Sequence, residues 1–225
     1  MSAPLDFARD GAALFPGALA ARTVETLRTL ADERVGARPG ARLRDDAVLA
    51  DLLAPAGTIG ALAARLTSPA ARPVRAVMFD KTPDANWAVA WHQDRVLPVS
   101  RRVEVEGFGP WSTKDGLLHV APPFEILARM VTLRVHLDPV DAANAPLRAA
   151  LGSHRLGRVA AGDAAARAAE HPVIDCLAET GDVWAYATPI LHASDRAEPP
   201  RRRRVLQVDY ADFDLPGGLA WAGLA

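Results

Sequence analysis

Apolar residues first recur at helical spacing. Between residues 20 and 35, Val24, Leu27, Leu30 and Ala31 fall on one face of a 3.6-residue period, and residues 45–53 and 58–66 repeat the pattern. From Leu5 to about Ser68 the chain therefore reads as helical pieces whose apolar stripes need a surface to cover. After Pro69 the texture changes to short runs rich in β-branched and aromatic residues, at 74–79, 87–91, 117–120, 131–137, 147–150, 173–177, 183–187 and 205–210. Proline- and glycine-bearing turns separate them, with short helical stretches at 124–129 and 163–170. Helices first and many strands afterwards predict an antiparallel barrel or double sheet, about residues 71–212, braced by a helical segment of about residues 1–70. No internal repeat, linker or second core interrupts this plan, so one domain is expected.

Composition narrows the function classes. The 225 residues lie within the roughly 200–250 that β barrels reach as single units, and half are hydrophobic, enough for a core. Twenty-six basic against 27 acidic residues leave a net charge of −1. Such a balance gives no electrostatic footprint for nucleic acid or an anionic membrane. The least charged stretch, 52–64, is too short to span a bilayer and is broken by Pro55, Gly57 and Gly60. Residues 1–10 place charge where a secretory signal needs an apolar run, and the single cysteine, Cys176, fits a reducing compartment. A cytoplasmic protein is expected.

The candidate chemistry begins at Trp91-His92-Gln93-Asp94. Side chains two apart on a strand share a face, so His92 and Asp94 can meet one ion. A third ligand is available in His192, about a hundred residues downstream. Two histidines and one carboxylate form the facial set of non-heme Fe(II) oxygenases and leave three positions open. Alone, a His-x-Asp spacing is equally a hydrogen-bonded pair. Arg203 adds weight: at the inner start of the strand 203–210 its guanidinium can grip the distal carboxylate of a dicarboxylate cosubstrate. Alternation puts Arg203 with Val205 and Gln207, and leaves Arg201, Arg202 and Arg204 as a solvated face and turn.

In order along the chain, Lys81, the His92-Gln93-Asp94 segment, Arg134 to Asp138, Asn144 to Leu147, Gly152-Ser153-His154, Gly181-Asp182-Val183, His192-Ala193-Ser194 and the strand from Arg203 to Tyr210 resemble the phytanoyl-CoA dioxygenase family of Fe(II)- and 2-oxoglutarate-dependent oxygenases, in a bacterial member. The resemblance implies a mainly β fold, a double-stranded β-helix (jelly-roll, cupin-like) barrel with N-terminal helices. It implies Fe(II) on His92, Asp94 and His192, 2-oxoglutarate as cosubstrate on Arg203, and Ser194 as an added hydroxyl on the same carboxylate. Lys81 stands where relatives place a lysine on the cosubstrate; a surface lysine is the competing reading. The expected reaction is oxidation of a small-molecule substrate by O2, with release of succinate and CO2; Asp94, a small residue in related halogenases, argues for hydroxylation.

Other residues stay open. Thr132, Arg134 and His136 share a strand face that should look into the barrel, with Arg134 either a carboxylate contact or half of a buried ion pair. Trp111 either roofs the pocket or packs in the core; His154 more simply fixes a turn. Ala145 and Leu151 stand where relatives have glycine and proline, and alanine tolerates positive φ poorly, so that turn differs or is strained. Two rival functions use the same residues: a zinc hydrolase, which leaves Arg203 unexplained, and a non-catalytic cupin-like binding module.

Overall fold

The structure, a computed structural model, describes residues 4–36, 38–199 and 201–224; residues 1–3 of the expected helical segment lie outside this range. The helices are α1 (Phe7–Asp10), α2 (Ala21–Val35), α3 (Ala47–Leu53), α4 (Gly60–Leu66), α5 (Phe124–Ala128) and α6 (Ala164–Ala169). The strands are β1 (Ala12–Phe15), β2 (Gly40–Arg42), β3 (Arg72–Lys81), β4 (Val89–His92), β5 (Leu97–Pro98), β6 (Trp111–Lys114), β7 (Leu117–Val120), β8 (Val131–His136), β9 (Leu147–Ala150), β10 (Val173–Cys176), β11 (Val183–Ala187), β12 (His192–Ser194) and β13 (Arg203–Ala211).

Two antiparallel sheets carry the jelly roll: a major sheet ordered β1-β11-β8-β13-β3-β2 and a minor sheet ordered β10-β9-β12-β4. Among the described residues no strand pairing joins the two sheets, so the expected barrel is open along its edges. A third, three-stranded sheet, β5-β7-β6, packs at one end over Val74, Leu127 and Leu215.

The helical prediction holds for α2, α3 and α4, and its physical reason is visible. Val24, Leu27, Leu30 and Ala31 of α2, Leu49 and Leu53 of α3 and Leu62 of α4 bury against the outer face of the major sheet, on Ala76, Met78, Leu133, Val135, Leu206 and Val208. Each large side chain buried there contributes about 1.5–3 kcal/mol. Asp46 caps α3 by accepting from the Leu49 N–H. Two strands were not foreseen among the helices: β1 extends the major sheet beside β11 and β2 extends it beside β3. Residues 12–15 and 40–42 carry no β-branched residue, so only their pairing partners define them.

With the outer face apolar, alternation sends the charged positions inward, together with a few apolar ones. On β3 these are Arg75, Val77, Phe79 and Lys81, and on β13 they are Arg203, Val205, Gln207 and Asp209, paired as Lys81 with Arg203, Phe79 with Val205, Val77 with Gln207 and Arg75 with Asp209. On β8, Thr132, Arg134 and His136 complete that face, as expected from the sequence. Arg204 departs from the expected solvated face: it makes two side-chain hydrogen bonds to Asp138, at 2.8 and 2.9 Å, a structural ion pair on the outer side. Arg202 is exposed as expected, while donating to Asp80. Arg201 behaves as expected, pairing with Asp141 at the exposed turn.

Candidate active site

His92 on β4 and His192 on β12 are direct cross-strand partners, and their ring centroids lie 4.2 Å apart. A side-chain oxygen of Asp94 joins them: the ligand atoms of His92, Asp94 and His192 all lie within 4.8 Å of one another, the one such group among the described residues. The sequence reading placed His92 and Asp94 on one strand face. In fact β4 ends at His92, and Asp94 stands in the segment beyond it. The carboxylate still reaches the histidines because the major sheet holds it: Arg75 Nη2 and Gln207 Nε2 donate to Asp94 Oδ2 at 3.1 and 3.3 Å.

The donor set fits a divalent transition metal. His92 Nδ1 lies 2.8 Å from its own-strand carbonyl Ala90 O, and His192 Nδ1 lies 3.0 Å from Ile190 O. A carbonyl can only accept, so each Nδ1 carries the hydrogen and each Nε2 keeps its lone pair for the ion. Burial pushes His192 down to about 4, which keeps the ring neutral and ready to ligate. Burial pushes Asp94 upward, but Arg75 and the two histidines hold it below its ordinary value, as an anion.

The three residues open into a cavity of about 810 Å³ whose walls also include Lys81, Arg134, Ser194 and Arg203. Arg203 is 5 % exposed and Lys81 4 %, which removes the surface-lysine reading. Among the described residues neither has a carboxylate partner: Arg203 donates to the carbonyls of Asn144 and Ala145, and Lys81 to those of Trp87 and Asp195 and to Ser194 Oγ. Burial and the Arg134 guanidinium push Arg203 down to about 9, and burial with Arg203 and Arg134 pushes Lys81 down to about 8. Arg134 also lacks an ion pair; it donates to Gln207 Oε1 at 2.8 Å and lies 5.8 Å from the Phe79 ring centroid. Three buried cations without counter-ions on one wall make a site for an anion with more than one negative group.

The turn that departs from the family pattern borders this site. Ala145 adopts φ +49°, the strained left-handed conformation, and its carbonyl accepts from both Arg203 and Ser194 Oγ. His136 is buried on the same inner face with neither ring nitrogen bonded, and burial beside Arg134 and Arg203 pushes it down to about 3. Trp111 packs with Val120 and Leu118 in the core of the small sheet and does not line the cavity. His154 stands off the cavity beneath Gly11, and its Nδ1 has no hydrogen-bond partner.

Sequence reasoning missed Arg75 and Asp209. Their signal was available in the two-residue period, since Arg75 shares the parity of Lys81 and Asp209 that of Arg203.

Fold and site together define a non-heme metal enzyme on a jelly-roll scaffold. The chain belongs to the phytanoyl-CoA dioxygenase family, Fe(II)- and 2-oxoglutarate-dependent oxygenases, which it matches over residues 7–205. Its fold is that of EctD from S. alaskensis, with a TM-score of 0.65 and 18% identity over 91% of this chain and 74% of that one. It is similar also to HygX from Streptomyces hygroscopicus, solved with nickel and 2-oxoglutarate bound (TM-score 0.61, 18% identity, 91% and 84% of the two chains). The epimerase SnoN from nogalamycin biosynthesis, in complex with Fe3+, alpha ketoglutarate and nogalamycin RO, gives a TM-score of 0.66 at 20% identity over 94% and 88%. No curated protein sequence matches the chain.

Proposed function

We propose that the chain hydroxylates a small molecule, converting substrate, 2-oxoglutarate and O2 into hydroxylated product, succinate and CO2, with residues 1–70 as brace and 71–212 as catalytic barrel. The observation that carries this reading is the meeting, in one cavity, of a His92–Asp94–His192 ligand set with the buried, counter-ion-free Arg203 and Lys81. Fe(II) and 2-oxoglutarate, when bound, supply the oxidising chemistry.

This chain's residues bind, orient and shield. His92 and His192 would hold the metal through Nε2, and Asp94 through one carboxylate oxygen. Arg203 takes the distal carboxylate of 2-oxoglutarate, Lys81 adds a second positive charge, and Ser194 Oγ, 3.3 Å from Lys81 Nζ, offers a hydrogen bond to the same carboxylate. Arg134, deep in the wall, adds positive potential that attracts a dianion. The helices α2, α3 and α4 cover the outer face of the major sheet and bury it from water.

The rival zinc hydrolase uses the same three ligands but gives Arg203, Lys81 and Arg134 no task. A binding module without catalysis predicts no turnover of the cosubstrate. Anaerobic addition of Fe(II) and 2-oxoglutarate to apo protein should give the charge-transfer absorption of a chelated 2-oxo acid. Air should then yield succinate. Absence of both from metal-loaded protein refutes the reading. The buried Cys176, the one cysteine of the chain, supports a reducing, cytoplasmic setting.

A further inference from the structure

We infer that Arg75, clamped by Asp209, is a positioning residue that fixes how Asp94 ligates the metal. The inference rests on the His92–Asp94–His192 group being a metal site and adds to it the device that sets its geometry. Arg75 reaches across from the major sheet and donates through Nη2 to Asp94 Oδ2 at 3.1 Å, while Gln207 Nε2 donates to the same oxygen at 3.3 Å. Both donors thus fall on Oδ2, and among the described residues none falls on Oδ1. The guanidinium is itself held, because its Nε lies 2.6 Å from Asp209 Oδ2, directly opposite on β13. Asp209 is fixed in turn by Thr132 Oγ1, which donates to Oδ1 at 2.9 Å and lies 3.0 Å from Thr188 Oγ1. Arg75, Asp209, Thr132 and Thr188 are all buried.

The physical consequence concerns coordination number. A carboxylate free to rotate can offer both oxygens to one ion and occupy a position that a bidentate cosubstrate and O2 require. With Oδ2 engaged by two donors, Asp94 has one oxygen to give. Strand β4 ends at His92, so nothing in the minor sheet's own ladder fixes Asp94; the orientation is imposed from the opposite sheet. Outer partners of this kind typically change metal affinity 10–100-fold when removed.

Cobalt(II) titration of the apo protein tests this without turnover, reading affinity by calorimetry and coordination by the d–d absorption. Arg75→Met should weaken Co(II) binding about 10–100-fold and alter the d–d bands. Asp209→Asn, which keeps the size and the contact to Thr132, should shift both readouts in the same direction even if Arg75→Met does not fold. Arg204→Gln, which breaks the outer pair with Asp138, should lower the melting temperature yet leave Co(II) affinity and spectrum as in the wild type. Folded Arg75→Met or Asp209→Asn protein with wild-type affinity and spectrum overturns the inference alone. Wild-type protein that binds no Co(II) overturns the metal site itself.

Discussion

Lys81 and Arg203 face each other across β3 and β13, two buried cations in adjacent register with no carboxylate between them. Cross-strand pairs of like charge are destabilising, and burial without a counter-ion adds to the penalty. A ligand carrying negative charge relieves both, and the cavity that both residues line is where it would bind.

Removing the guanidinium should therefore act on the cosubstrate and not on the metal. Arg203→Ala is expected to lower 2-oxoglutarate affinity by about 2–5 kcal/mol, roughly 30-fold to several-thousand-fold. Calorimetry on Ni(II)-loaded protein measures it, with Ni(II) affinity unchanged. Equal 2-oxoglutarate affinity in the variant would exclude Arg203 as the anchor.

Lys81 makes that affinity depend on pH. With its pKa pushed down to about 8, Lys81 is charged below that pH and neutral above it. A dianion binds the charged form better, so affinity should be flat below about 8 and then decline by up to about tenfold per pH unit. Arg203, Arg134 and Asp195 are the other charges acting on it. Lys81→Met should remove this step; a profile identical to the wild type would show that Lys81 does not contact the ligand.

Metal binding should be visible in stability. Ni(II) at about 100 times its Kd stabilises by ~2.7 kcal/mol, about 5–10 °C in melting temperature for a chain of this size. His192→Ala should abolish the shift, because it removes the buried ligand joined to His92 across the strand pair. A shift that survives in this variant would place the metal elsewhere.

The strained turn offers the opposite result. Ala145→Gly relieves a left-handed residue at φ +49°, worth about 1–2 kcal/mol, against roughly 0.5–1 kcal/mol of added chain entropy. A net gain of about 0.5–1 kcal/mol is expected, a rise of about 1–4 °C, with 2-oxoglutarate affinity kept because the carbonyl that accepts from Arg203 is backbone. A lower melting temperature would show that the alanine side chain packs usefully there.

The sequence by itself determined the long elements and singled out three side chains that the fold brings together. Helical spacing at Val24, Leu27, Leu30 and Ala31 and strand alternation at residues 131–137 are local, and burial on one face is enough to impose them. His92, Asp94, His192 and Arg203 were legible as candidates because metal and carboxylate chemistry restrict the residue types that can serve. Tertiary structure alone decided what depends on partners distant in the chain. Strands β1, β2 and β12 exist only through their pairing, and the sheets remain unjoined at their edges. Lys81 is a buried cation and not a surface one because β13 lies beside it. Asp94 is aimed by Arg75 and Gln207 from the facing sheet, since a carboxylate beyond the end of its strand takes its direction from whatever donors the fold brings to it.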